Sequence, residues 1–153
     1  MRVISVLFLV ILSSHIIVAQ DAAQKQPPKV EGISLGMTKE EVKAVYQYPT
    51  SSRYEERTWL FDSSDVIVSF NDQGIVTEVS IDDAGSKFEF DGFIIECGSS
   101  LEVAKNLLGP PTKTMNTEMV SEYFFADPGV VLLTYADDDS IVLIVLTKTY
   151  DKE

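Results

Sequence analysis

The chain has 153 residues, with 24 Asp and Glu against 12 Lys and Arg, one cysteine, one histidine and a hydrophobic content of 45%. A net charge of −12 sets it against nucleic acid and anionic membrane surfaces, because neutralising phosphates takes clustered Lys and Arg. One cysteine cannot form an intrachain disulfide, so stability has to come from a packed core, which the apolar content permits.

The chain opens with Arg2, an apolar run from Val3 to Leu12, the polar interruption Ser13-Ser14-His15, and Ile16-Ile17-Val18-Ala19. This is the three-part layout of a secretory signal peptide, with cleavage expected after Ala19. The interruption leaves the run short of the roughly twenty apolar residues a membrane helix needs. No cysteine follows it, so no lipidated N-terminus is expected, and the protein is read as secreted or periplasmic. Processing would leave 11 basic against 24 acidic residues, a net charge of −13. Such a surface suits solubility or a basic partner. Residues 20–29, ending in Pro27-Pro28-Lys29, read as a flexible polar leader.

Two similar passages follow, assigned to a first unit over 30–85 and a second over 86–150. Thr38, Glu41 and Val42 match Ser99, Glu102 and Val103 at a spacing of 61, whereas Gln47, Pro49 and Thr50 match Gly109, Pro111 and Thr112 at 62. The difference predicts one extra residue within the second helix. Thr38 with Glu41, and Ser99 with Glu102, read as capping boxes. Val42, Val45 and Tyr46, then Val103, Ala104, Leu107 and Leu108, make apolar stripes on helices of about nine to ten residues, too short to be stable unpacked. Strands are expected at Thr58–Phe61, Val66–Phe70 and Ile75–Ile81, and again at Glu122–Phe125, Val130–Tyr135 and Ile141–Thr147. Asn71-Asp72-Gln73-Gly74 and Asp137-Asp138-Asp139 read as hairpin turns. Residues 87–95 are expected to add one strand before the second helix. The fold class is therefore α+β, two tandem repeats, each a short helix on an antiparallel sheet. The short connection Asp82–Ser86 allows the two sheets to run together.

The run Gly36-Met37-Thr38, followed by Glu41-Val42 and a proline just past the helix, resembles a known pattern. It is that of the small lipoprotein of the outer-membrane β-barrel assembly machinery (BamE-like) and of the β-lactamase inhibitor protein. Trp59, Phe61, Val68-Ser69-Phe70 and Gly74 before Val76 fit its strand half. The resemblance implies a helical hairpin on an antiparallel sheet, present twice in the inhibitor. This chain departs from both families: it has no cysteine for a lipid anchor and none to spare for the inhibitor's intradomain disulfides. No contact residue is carried over.

His15 is the only histidine and falls in the expected signal peptide. Ser–His and Cys–His nucleophile pairs and His-bearing zinc sites are therefore excluded from the processed chain. Gly36, Gly98 and Gly109 sit at helix edges and build no phosphate loop. A carboxylate-only hydrolase would have to use residues such as Asp62 or Asp65, which stand in a turn where Asp is common. Asp137-Asp138-Asp139 lacks the spacing of a calcium loop. Cys97, near-equivalent to Leu35, reads as a buried inert thiol. No catalytic residue, metal or cofactor is expected.

Trp59, Tyr123 and Phe125 sit on the first strand of each unit and are the candidate partner-binding aromatics. The strands Val130–Tyr135 and Ile141–Thr147 are apolar on both faces. An antiparallel sheet covered on one side should alternate, so a second cover is expected: the other unit, a second copy of the chain, or a client protein. The combined reading is an exported, non-enzymatic, protein-binding or inhibitor-like module. A cell-envelope assembly or structural accessory protein is the alternative, and a carboxylate-dependent hydrolase a distant third.

Overall fold

The computed structural model describes residues 26–53, 56–62 and 64–148. The expected signal peptide and the first part of the leader, with Arg2 and His15, lie outside the described residues. In chain order the elements are β1 (Lys29–Val30), α1 (Lys39–Tyr46), β2 (Ser51–Arg53), β3 (Thr58–Phe61), β4 (Val66–Phe70), β5 (Val76–Ile81), β6 (Lys87–Phe90), β7 (Phe93–Glu96), α2 (Leu101–Leu108), β8 (Lys113–Asn116), β9 (Val120–Phe125), β10 (Val130–Tyr135) and β11 (Ile141–Thr147).

The expected α+β fold of two helix-on-sheet repeats is overturned. Strand and bridge residues make up 47% of the described chain and helix only 13%, so the protein is mostly β. The two halves share a sheet, a possibility that the short connection between them left open. Eight strands form one antiparallel sheet in the order β2-β3-β4-β5-β11-β10-β9-β8, and β1-β6-β7 form a second, three-stranded one. The physical reason lies in β5 and β11. Each ends its half of the chain with a row of backbone groups needing partners, and pairing from Ile81–Ile144 to Glu78–Thr147 satisfies both rows at once.

The two similar passages are one local junction used twice, at a uniform spacing of 62. Thr38 caps α1 and Ser100 caps α2; the helices then run in step from Lys39 and Leu101 to the caps Gln47 and Gly109. There is no extra residue within the second helix. The Thr38–Glu41 capping box forms in both directions, with Thr38 N donating to Glu41 Oε2 at 2.7 Å and Glu41 N donating to Thr38 Oγ1 at 3.3 Å. The expected Ser99–Glu102 box does not form. Ser100 Oγ accepts from Val103 N at 3.4 Å, and Val103 has no carboxylate to return the bond. The misreading arose because Ser99 and Ser100 are both able to cap. Each helix start is tied to the turn before the last strand of its half. Lys39 N donates to Gly74 O at 3.2 Å and Leu101 N to Asp139 O at 2.8 Å. In the first half Ile75 bridges Thr38, so β5 starts at Val76.

Residues 87–95, expected as one strand, form a hairpin: β6 pairs with β7 from Lys87–Glu96 to Phe90–Phe93. Asp91 and Gly92 between them both have positive φ, 48° and 83°, as a tight two-residue reversal requires. Lys29, read as the last residue of the leader, is in a strand: it pairs with Glu89, and Val30 pairs with Phe88. Ser34 Oγ donates to Pro28 O at 3.0 Å, holding this entry segment against the body.

Strand register sorts the large sheet into rows. One row runs Ser52, Trp59, Val68, Val79, Leu146, Val130 and Phe125, and the next on that face Phe61, Val66, Ile81, Ile144, Leu132 and Tyr123. Most of these side chains are buried, and they pack with Val42 of α1, Leu101 and Ala104 of α2, and Val30, Phe88 and Ile95 of the small sheet. The core is therefore a single layer between one face of the large sheet and a cover made of two helices and three strands.

Candidate binding surface

The alternate rows point the other way. Ser51, Leu60, Ile67, Ser80, Val145, Val131, Phe124 and Lys113 lie opposite one another across all eight strands. Leu133 pairs with Leu143 and Glu122, and Tyr135 with Val120, on the same face. None of these residues belongs to the core cluster. Ile67 is 40% and Tyr135 52% exposed, and Leu60, Val145, Leu143 and Leu133 are half-buried by their neighbours alone. Val131 is buried in the middle of the patch, with large side chains on either side of it. Among the described residues no helix or small-sheet strand joins this face in the core packing. Among the described residues, the doubly apolar strands β10 and β11 thus bury one face in the core, and no helix or small-sheet strand of the other unit packs on their second face as a cover.

Two depressions mark the open face. The larger, of about 450 Å³, is lined by Leu133, Tyr135, Val142 and Leu143, with Asp82, Ala84 and the Cys97–Gly98 backbone turn at its rim. The smaller, of about 150 Å³, is lined by Leu60, Ile67, Asp62, Asp65 and Asp82. Asp82 belongs to both. The register explains this meeting: Phe61 opposes Val66 and Val66 opposes Ile81, so Asp62, Asp65 and Asp82 end one position beyond a shared row. They continue the line that Leu143 and Leu133 begin. Asp65 has φ of 45°, a left-handed conformation Asp tolerates better than most residues.

The three aromatics expected as contacts lie on the covered face. Trp59 is 4% and Phe125 1% exposed. Trp59 packs edge-on to Phe70 at 4.8 Å between ring centroids, with Lys39 Nζ 5.3 Å and Lys43 Nζ 5.7 Å from its ring. Tyr46 of α1 stacks obliquely on Phe61 at 4.9 Å, and burial raises its phenol pKa. Tyr123 is half-buried beneath Lys105 Nζ at 4.9 Å. These side chains hold the helices to the sheet. Alternation in VSEYFF offered two faces, and nothing local says which is covered; Phe124, on the open face, was missed for that reason.

Cys97 is buried, its Sγ donating to Ile81 O at 3.7 Å, and burial pushes its pKa up to about 11. Asp138 accepts from Ser140 N at 2.8 Å, and that bond lowers its pKa. Among the described residues no three His, Cys, Asp or Glu side chains converge as a metal site, and no helix is long and apolar enough to cross a membrane. Asp62 and Asp65, the carboxylates considered for hydrolysis, share a depression smaller than the roughly 300 Å³ of an ordinary ligand pocket.

No family model matches the chain, and no curated protein does. Among solved structures it is similar to a DUF4309 family protein (YjgB) from Bacillus subtilis. The match has 17% identity and a TM-score of 0.50, covering 76% of this chain and 82% of that one. At that identity the likeness is one of fold alone.

Proposed function

We propose that the protein is an exported, non-enzymatic binding module that engages another protein through the open face of its large sheet. The observation that carries this reading is the row Leu60, Ile67, Ser80, Val145, Val131 and Phe124, apolar except at Ser80, on a face outside the core packing of the described residues. Contiguous apolar surface rimmed by polar groups is the usual mark of a protein contact. The reading also draws on the signal-peptide layout of residues 1–19, and on the resemblance of the α1 segment to the inhibitor and barrel-assembly families.

The test is affinity capture from native envelope and secretion fluid with the processed chain and with an Ile67→Arg/Tyr135→Ala variant. Both positions are exposed, so the fold should tolerate the changes. The expected result is a protein retained by the wild type and lost with the variant. Identical retention by both would remove the open face from the function.

A further inference from the structure

We propose that the occupant of the open face is a basic amphipathic polypeptide segment, whose apolar side chains cover the Leu60–Phe124 row and whose Lys or Arg residues meet Asp62, Asp65 and Asp82. This deepens the binding reading above and rests on it.

Two features of the face select this chemistry. The row from Leu60 to Phe124 crosses six strands, β3 to β9, and is apolar except at Ser80 of β5; its five inter-strand spacings of about 4.8 Å make roughly 24 Å. A helix of about sixteen residues spans that length at 1.5 Å per residue. Beside the row, the smaller depression opens between Leu60, Ile67 and the three aspartates. Neither Asp62, Asp65 nor Asp82 makes an ion pair within the described chain. Carboxylates flanking an apolar surface are complementary to a Lys or Arg whose stem lies on that surface and whose head group reaches the acid. The basic residues in the sheet's open rows, Arg53 and Lys113, stand on its two edge strands, β2 and β8, and neither pairs in register with the aspartates. A second copy of the chain is the wrong occupant on charge, since it would bring another strongly acidic surface against this one.

The probe is a fluorescent sixteen-residue Leu/Lys peptide with its leucines on one helical face, compared with its Leu/Glu counterpart by anisotropy against the processed chain. The Leu/Lys peptide should bind, and binding should weaken about tenfold with Asp62→Asn/Asp65→Asn/Asp82→Asn, comparable to losing one strong charged contact. Asn tolerates the positive φ of Asp65, so the fold should persist. Ile67→Ser/Tyr135→Ser should weaken it as well. Glu89→Gln/Asp91→Asn/Glu102→Gln, which removes the same charge from the opposite layer, should leave it unchanged. Equal weakening by that control, equal binding of the Leu/Glu peptide, or a dimer in sedimentation that Ile67→Arg dissociates would each overturn the proposal. Loss of the native partner with Ile67→Arg/Tyr135→Ala but not with the triple Asn variant would overturn it too, while leaving the open face a binding surface.

Discussion

At the scale of single residues, environment separates side chains that look alike in sequence. Cys97 is the one thiol, and its place against Ile81 O in the core makes the neutral form the one the fold accepts. Its pKa rises from 9.0 to about 11. An acid with a raised folded pKa holds its proton after the unfolded chain has lost it. Stability is therefore lost as pH rises through the window from 9.0 towards about 11. Denaturant midpoints should fall across that window in the wild type and stay flatter in Cys97→Ala. The native thiol should also react with a disulfide reagent only as fast as the chain opens. Glu41 shows the opposite sign. Its carboxylate accepts from Thr38 N and Thr38 Oγ1, which lowers its pKa below 4.5. That stabilisation is present above 4.5 and is lost as pH falls through the lower folded value. A carboxyl-carbon NMR titration should place the Glu41 midpoint below 4.5 in the wild type, and Thr38→Ala should raise it. Removing the cap with Thr38→Ala should cost about 1 kcal/mol in denaturant unfolding.

At the scale of elements, the turns decide what the strands can pair with. Asp91-Gly92 converts a stretch that reads as one strand into the β6–β7 hairpin, and with it builds most of the small sheet. The Asp-Gly signal between apolar residues was present in the sequence; the apolar density of FEFDGFII masked it. Gly129 is the turn residue with least tolerance. It has φ of 86°, and a Cβ there would come within 2.8 Å of Thr147 O, the carbonyl at the end of β11. Gly129 O also accepts from Thr147 N at 2.9 Å, so the backbone cannot withdraw without losing a strand-end bond. Gly129→Ala should therefore destabilise by more than about 1 kcal/mol, beyond the usual penalty for a left-handed alanine. Thermal melting of the variant would check this, with Gly85→Ala as comparison, since a Cβ at Gly85 meets nothing within 4 Å. Capping shows the same dependence on context. Ser99 and Ser100 are chemically equivalent caps, and the pairing of Ile141 N with Ser99 O commits Ser99 to the strand-side contact, leaving Ser100 to start α2.

At the scale of the whole molecule, the pairing of β5 with β11 joins the two halves in one sheet. Leu146 sits on that seam, fully buried, opposite Val79 on one side and Val130 on the other. Leu146→Ala should cost about 2–5 kcal/mol, as large-to-small changes in a close-packed core do. The loss should appear equally in Trp59 fluorescence, which reports the first half, and in circular dichroism, which reports both. Coincident transitions in wild type and variant are expected of a single sheet. Two separated transitions would mean that the seam does not couple the halves.

The sequence by itself determined the short-range features. Thr38 with Glu41 specified a helix start, and the apolar runs of Val130–Tyr135 and Ile141–Thr147 specified those strands at the bounds they have. Such features depend on contacts within a few residues, where side-chain chemistry and chain geometry leave few choices. The sequence also showed, in the doubly apolar β10 and β11, that one face needed an explanation beyond a simple half-covered sheet. Only the tertiary structure decided which strands joined. β2 and β8 are short and polar, SSR and KTMN, and are strands because a longer neighbour supplies their hydrogen bonds. The same holds for the seam, where an edge is satisfied by a strand more than sixty residues away in the chain. It holds for the candidate surface as well. Asp62, Asp65 and Asp82 become one acidic margin, and Leu60, Ile67, Val145, Val131 and Phe124 one row broken only at Ser80, solely through the register of separate strands. Alternation tells which residues share a face; only the packing of the helices and the small sheet tells which face is left open.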